Sequence, residues 1–209
     1  PSVIRGLEEK GMISVESERI WRNPVHTEQQ DIIKKELNAC QREAVDQILD
    51  EWKSETPRPT LLYGVTGSGK TEVYMEMIDR VLKEGGQAIV LIPEIALTYQ
   101  TVMRFYGKFG DRVSILNSRM SQGERFDQME RVKAGEVDVM IGPRSALFTP
   151  FPNLGLIVID EEHETTYKSE QVPRYHARET AMMRGKMEGA SVVLGSATPS
   201  LEAFYGCKR

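Results

Sequence analysis

The sequence runs to 209 residues, 40% hydrophobic and 28% charged, with a formal net charge of −4. That length suits one ordinary domain plus an appendage and is ample for a hydrophobic core. The acidic balance excludes a globally basic nucleic-acid binder, so any such contact must be local or use backbone amides and a few placed cations. No apolar run approaches the roughly 20 residues that span a bilayer. The first residues carry no signal-peptide h-region, so a cytoplasmic location and no membrane partner are expected. The two cysteines, Cys40 and Cys207, form no CxxC pair, which points to neither a zinc site nor a disulfide framework.

The block from Val3 to Asn23 reads as a short helix followed by a strand, with Ile13 to Trp21 alternating loosely. His26 to Lys35 is polar and charged and reads as linker. Asn38 is a good N-cap, after which Cys40, Ala44, Ile48 and Leu49 fall at helical spacing as far as Trp52. Pro57 and Pro59 break the chain. Strands are then predicted at Thr60 to Val65, Ala88 to Pro93, Val113 to Asn117, Val137 to Gly142, Leu156 to Asp160 and Ser191 to Ala197. Helices are predicted between them near 71–84, 95–108, 122–134 and 177–188. This β–α alternation argues for an α/β fold with a parallel sheet covered on both faces.

Gly64-Val65-Thr66-Gly67-Ser68-Gly69-Lys70-Thr71 fits GxxxxGK[ST] at every fixed position, after a predicted strand and before a predicted helix. Glycines let backbone amides turn inward around a phosphate, and the helix N-terminus adds partial positive charge. Lys70 is placed to neutralise the terminal phosphates and Thr71 to ligate Mg²⁺. The loop alone implies a nucleoside triphosphate. It does not separate kinase, GTPase, transporter and helicase.

Leu156 to His163 is an apolar strand ending in three acids and a histidine. At the carboxyl end of a strand in a doubly wound sheet, these acids fall beside the phosphate loop. Asp160 is expected to hold Mg²⁺, partly through water, and Glu161 to orient or deprotonate the attacking water. His163 is read as a coupling residue that senses the γ-phosphate state; Glu162 carries no assigned role. Ser191 to Thr198 is a further buried strand. Its end offers Ser196 and Thr198 as hydrogen-bond partners for His163 or the acids.

A phosphate loop, a DExH strand and Ser-Ala-Thr, in that order, resemble the first RecA-like lobe of superfamily 2 helicases. Longer runs resemble the PriA-type primosomal replication-restart helicases. These are Tyr63 to Tyr74, Pro93 to Thr98, Arg144 to Phe148, Asp160 to His163 and Gly195 to Ser200, and the likeness covers roughly residues 36 to 206. It implies ATP and Mg²⁺ as cofactors. It also implies 3′-to-5′ translocation on single-stranded and forked DNA, and primosome and single-strand-binding proteins as partners.

By the same resemblance Gln41 reads adenine. Ile95 and Thr98 contact the DNA backbone, as do Arg144 and Ser145. Pro143 stands where the family pattern has threonine, so a hydroxyl contact there is not carried over. Thr165 to Arg178 resembles the family's aromatic-rich loop, with Tyr167, Lys168, Arg174, Tyr175 and Arg178 as candidate DNA contacts. Aromatic faces stack on bases and cations meet phosphates. Residues 1–25 resemble the end of a winged-helix module, though a generic helix-strand segment fits them as well. Residues 26–37 then read as linker and 38–209 as the first helicase lobe.

The family's second lobe supplies an arginine finger and half of the DNA track, and neither is expected in this chain. Zinc is expected only in a cysteine-rich region beyond it. The isolated lobe is therefore expected to be inactive as a helicase. The alternative is a DNA- or partner-binding module whose nucleotide site does not hydrolyse alone. A small-molecule P-loop kinase fits the Ser-Ala-Thr strand end and the aromatic loop less well.

Overall fold

The computed structural model describes residues 2–15 and 36–206. Helix α1 spans Ser2–Glu9. Residues 13–15, where the sequence predicts the start of a strand, form none; the rest of that strand, residues 26–35 of the linker and Cys207 lie outside the described residues.

From Asn38 onward the alternation is regular. Helix α2 (Ala39–Trp52) leads to β1 (Thr60–Tyr63), α3 (Lys70–Lys83), β2 (Gln87–Leu91) and α4 (Tyr99–Phe109). Then come β3 (Val113–Ile115), α5 (Gln122–Lys133), β4 (Val139–Gly142), β5 (Leu154–Ile159), α6 (Ala177–Glu188), β6 (Ser191–Ser196) and α7 (Leu201–Gly206). Short 3₁₀ turns occupy Gly110–Arg112, Arg144–Phe148 and Thr165–Tyr167. The helix predicted from residue 95 begins instead at Tyr99. Thr98 turns its side chain back to accept from the Thr101 amide, an N-cap that fixes the start. The short α7 is an element that the sequence pattern does not predict.

The six strands form one sheet in the order β1-β6-β5-β2-β4-β3, and every pairing is parallel. Parallel sheets need both faces covered, and the strand residues divide accordingly. Ala88, Val90, Val158 and Val193 face the side built from α2, α3 and α4, with Ile48, Met77, Ile78 and Phe105 against them. Ile89, Leu91, Ile157, Ile159 and Leu194 face the other side, with Val132 of α5, Ala177 and Ala181 of α6 and Ala203 of α7. Each fully buried aliphatic side chain contributes about 1.5–3 kcal/mol, so these two layers hold the strand ends rigidly enough to carry a site.

Two capping boxes fix helix starts, that of α2 beside the site and that of α5 at the far edge of the sheet. Asn38 accepts from the Gln41 amide while the Gln41 side chain accepts from the Asn38 amide, and Ser121 and Glu124 do the same for α5.

Candidate nucleotide-binding and coupling site

The phosphate loop connects β1 to α3. Its first residue, Gly64, donates its amide to the Ser196 carbonyl, 3.1 Å away, which ties the loop to the neighbouring strand β6. The Ser68 amide closes a turn on the Val65 carbonyl at 3.1 Å. Gly69 holds φ of +86°, and a Cβ there would come 2.2 Å from the Gln41 Nε2. Only glycine fits both the left-handed backbone and that approach. Gln41 donates from Nε2 to the Ser68 carbonyl at 3.0 Å, so it lies against the loop with its other amide atom held by the cap. The first-turn amides of α3 at Lys70 and Thr71 have no intrahelical acceptor and face the loop's interior as an anion-binding end.

Three consecutive acids follow β5: Asp160 and Glu161 face α3, and Glu162 turns away to Ser200 and α6. Asp160 accepts from the Tyr74 hydroxyl of α3 at 3.0 Å. Burial raises its pKa, and the neighbouring Glu161 charge adds to that, while the Tyr74 hydrogen bond and Lys70 oppose the rise. Glu161 adopts φ of +47°, an uncommon conformation for a non-glycine residue, which turns the chain out of the strand. Its carboxylate lies 3.9 Å from the Lys70 ammonium and 3.7 Å from His163 Nδ1. Lys70 also donates to the Gly64 carbonyl at 2.9 Å. Glu162 is buried and accepts from the Ser200 amide at 2.6 Å, the Ser200 hydroxyl at 3.0 Å and Arg178 at 3.2 Å.

His163 meets the end of β6. Its Nδ1 lies 2.8 Å from Ser196 Oγ, and its Nε2 lies 3.5 Å from Thr198 Oγ1. Ser196 Oγ also accepts from the Thr198 amide at 3.0 Å. Loop, acids and Ser-Ala-Thr therefore converge at the carboxyl ends of β1, β5 and β6.

Of the candidate DNA contacts, Ile95, Thr98, Ser145, Lys168 and Arg174 are exposed. Arg144, Tyr167, Arg178 and Thr98 make contacts within the lobe, and of these Tyr167 is too buried for the stacking expected of it. Tyr167 is 1% exposed and cannot stack on a base. Its hydroxyl donates to the Leu91 and Asp160 carbonyls at 3.0 and 2.6 Å, satisfying the ends of two strands. The Arg178 side chain is largely buried in its pair with Glu162 and also donates to Ser200 Oγ at 2.7 Å. Arg144 donates to the Thr166 and Lys168 carbonyls, both at 2.8 Å, so it braces the loop. The Thr98 hydroxyl is the N-cap of α4. Tyr175 is half-buried, edge-on to Phe148 at 5.1 Å between ring centroids.

Tyr74, Glu162 and Ser200 are site residues to which motif reading gave no role, although all three stand in the runs named above. Gly195 leaves room for the Tyr74 hydroxyl; a Cβ there would lie 1.6 Å from it.

The donor set suits Mg²⁺. Thr71 and Asp160 offer hard oxygens, and the acids beside them are a crowded negative cluster that a cation would relieve. Among the described residues no group of three or more His, Cys, Asp or Glu could hold a metal unaided.

The chain is similar to the replication restart protein PriA of Bacillus subtilis (strain 168), 45% identical over 207 residues, covering 97% of this chain and 25% of that protein. The PriA of Chlamydia pneumoniae is 48% identical over 171 residues, covering 81% of this chain and 23% of that protein. The chain thus spans about a quarter of the length of the curated relatives it matches. Among solved structures, RecG bound to a three-way DNA junction superposes with a TM-score of 0.61 at 27% identity, over 84% of this chain and 23% of RecG. The Hef helicase domain of Pyrococcus furiosus shares the fold, with a TM-score of 0.57 at 18% identity over 81% of this chain and 36% of that one. The DEAD/DEAH box helicase profile matches residues 38–204, a span that takes in the phosphate loop, the acids and the Ser-Ala-Thr strand end, and the chain belongs to that family.

Proposed function

We propose that this chain is the first motor lobe of a PriA-type, ATP-dependent DNA helicase acting in replication restart. The observation that carries this reading is the convergence of the phosphate loop, Asp160-Glu161 and the His163–Ser196 contact on adjacent strand ends. A nucleotide bound in the loop draws the Lys70 ammonium from the Gly64 carbonyl to its phosphates. Thr71 and Asp160 would hold Mg²⁺, which would supply charge neutralisation at the phosphates. Glu161, released from Lys70, orients the attacking water and accepts its proton. Gln41, already against the loop, selects adenine. His163 passes the state of the Glu161 side to Ser196 and Thr198.

Exposed Ile95, Thr98, Ser145, Lys168 and Arg174 form the DNA side of the lobe, single-stranded and forked DNA being the substrate. A second lobe supplies an arginine finger and the rest of the track, and the pair moves 3′-to-5′. Primosome and single-strand-binding proteins are the partners, in the cytoplasm. The winged-helix and linker readings of residues 1–25 and 26–37 fall largely outside the described residues, and zinc belongs to another region of the parent protein.

The test is calorimetric titration of Mg·ATP into the chain and its Lys70→Ala variant. Loss of charge-assisted phosphate contacts, each worth about 1.5–3 kcal/mol, weakens binding by about a hundredfold. Unchanged affinity would overturn the assignment of the loop. Alone the lobe is expected to hydrolyse ATP poorly, and robust DNA-stimulated hydrolysis by it would refute the need for a second lobe.

A further inference from the structure

Glu162 stands between the proposed water-orienting Glu161 and the coupling His163, yet it faces away from both. Its side chain is fully buried and is bound by a charge from α6 and by two donors of Ser200. Arg178, at the first turn of α6, completes a triangle by donating to Ser200 Oγ, which in turn accepts from the Ala203 amide at 3.2 Å and so starts α7. Three segments meet there: the acids after β5, the base of the loop 164–176, and the chain just past Ser-Ala-Thr.

The loop 164–176 is anchored at both ends by this arrangement. Its near end is fixed where the Tyr167 hydroxyl grips the Asp160 carbonyl. Its far end runs into the first turn of α6, where the Arg178 guanidinium reaches Glu162. Between the anchors, Lys168 and His176 pair as a short antiparallel bridge, and the Ser169 amide donates to the Tyr175 carbonyl at 2.8 Å. The loop is therefore closed on itself, and a displacement at Lys168 or Arg174 has three routes to the acids: Tyr167 on the Asp160 carbonyl, the Glu164 amide on the Glu161 carbonyl at 2.9 Å, and Arg178 on Glu162.

A buried ion pair is a costly way to fix a fold, since apolar residues of similar volume commonly do as well or better. Its distinctive property is that it holds one geometry and loses heavily in any other. We propose that Glu162 and Arg178 are positioning residues that transmit DNA engagement of the loop 164–176 to Glu161, His163 and the Ser-Ala-Thr strand end. This rests on the reading of that loop as a DNA contact.

A full-length protein carrying this lobe is compared as Glu162→Gln, Arg178→Met and the double variant. Melting temperature, single-strand DNA affinity by anisotropy, binding of a fluorescent ATP analogue, and ATPase with and without DNA are measured. Each single variant leaves a buried group without its partner and melts lower. In the double variant the carboxamide introduced at position 162 would still accept from the Ser200 amide and donate to its hydroxyl. Melting temperature and both affinities are therefore expected to return near the parental values. The ratio of DNA-stimulated to basal ATPase is expected to stay down by about tenfold, inside the 5–150-fold span of ordinary site-to-site coupling.

A double variant with the parental stimulation ratio overturns the proposal, because the pair is then a packing element. A ratio that falls only in step with DNA affinity or melting temperature overturns it equally. Lys168→Ala/Arg174→Ala separates the underlying reading. If those changes leave DNA affinity unaltered, the loop is no DNA contact and the proposal falls with it; if affinity drops while the Glu162/Arg178 double variant keeps full stimulation, the proposal alone falls.

Discussion

Gly195→Ala puts a methyl group where the tyrosine supporting the metal-side acid now sits. The new Cβ would lie 1.6 Å from the Tyr74 hydroxyl and 2.8 Å from its ring Cζ, well inside contact distance. Neither partner yields easily. Tyr74 is 1% exposed, and β6 is hydrogen-bonded to β1 on one side and β5 on the other. The ring must swing, and the 3.0 Å bond to Asp160 is lost. Overpacking of this kind costs about 1–3 kcal/mol and a hydrogen bond to a charged group about 1.5–3 kcal/mol. Together these lower the melting temperature by about 5–20 °C for a domain of this size. The assay is thermal unfolding by circular dichroism, paired with calorimetric titration of Mg·ATP. Adding Tyr74→Phe removes the nearest clashing atom and should restore part of the lost stability. A melting temperature within about 2 °C of the parent for Gly195→Ala, or strictly additive losses in the double variant, would refute the argument.

Alkaline pH probes the buried phenols. Burial pushes Tyr106 up to about 12, and Tyr74 and Tyr167 rise as well, by burial first and then by the Asp160 charge. Phenols with raised folded pKa values stabilise the fold fully below the ordinary value of about 10, and that contribution is lost as pH climbs through their folded values. The denaturation midpoint should therefore fall above about pH 10. Ionisation of these phenols, read by ultraviolet absorbance, should coincide with loss of helix signal; full ionisation near pH 10 with the fold intact would contradict the burial. Asn38→Ala removes the acceptor for the Gln41 amide and should cost about 0.5–2 kcal/mol, seen as a drop in melting temperature. No drop would mean that α2 is held by packing alone.

The sheet and the phosphate loop were legible because both are local. Short apolar runs, glycine spacing and a strand ending in acids are properties of short windows. Which cations face outward was not legible. Arg174 and Arg178 sit four residues apart in one charged segment, yet one is exposed and the other largely buried. The difference is made by Glu162 and Ser200, which lie 16 and 22 residues from Arg178 and reach it only because β5, α6 and β6 pack together. Tyr167 misled for a related reason. An aromatic among charges looks like a stacking surface, but the carbonyl of Leu91 that its hydroxyl satisfies is 76 residues away. Thr98 is a different case, since a threonine before a helical run is an N-cap by ordinary capping preference. A helix start at residue 95 overlooks that local signal.

The strand order has a metric consequence. β6 lies between β1, which carries the phosphate loop, and β5, which carries the acids. Two inter-strand spacings therefore separate the backbones that carry the two halves of the site, roughly 10 Å at about 4.8 Å each, and the Lys70 and Glu161 side chains span the gap. That length is ruled by the hydrogen-bond lattice of the backbone and by no side chain. Repacking either apolar layer would soften or stiffen the lobe without changing its gauge. The strand that sets the gauge ends in Ser196, so the element measuring the distance from loop to acids is also the one that His163 touches.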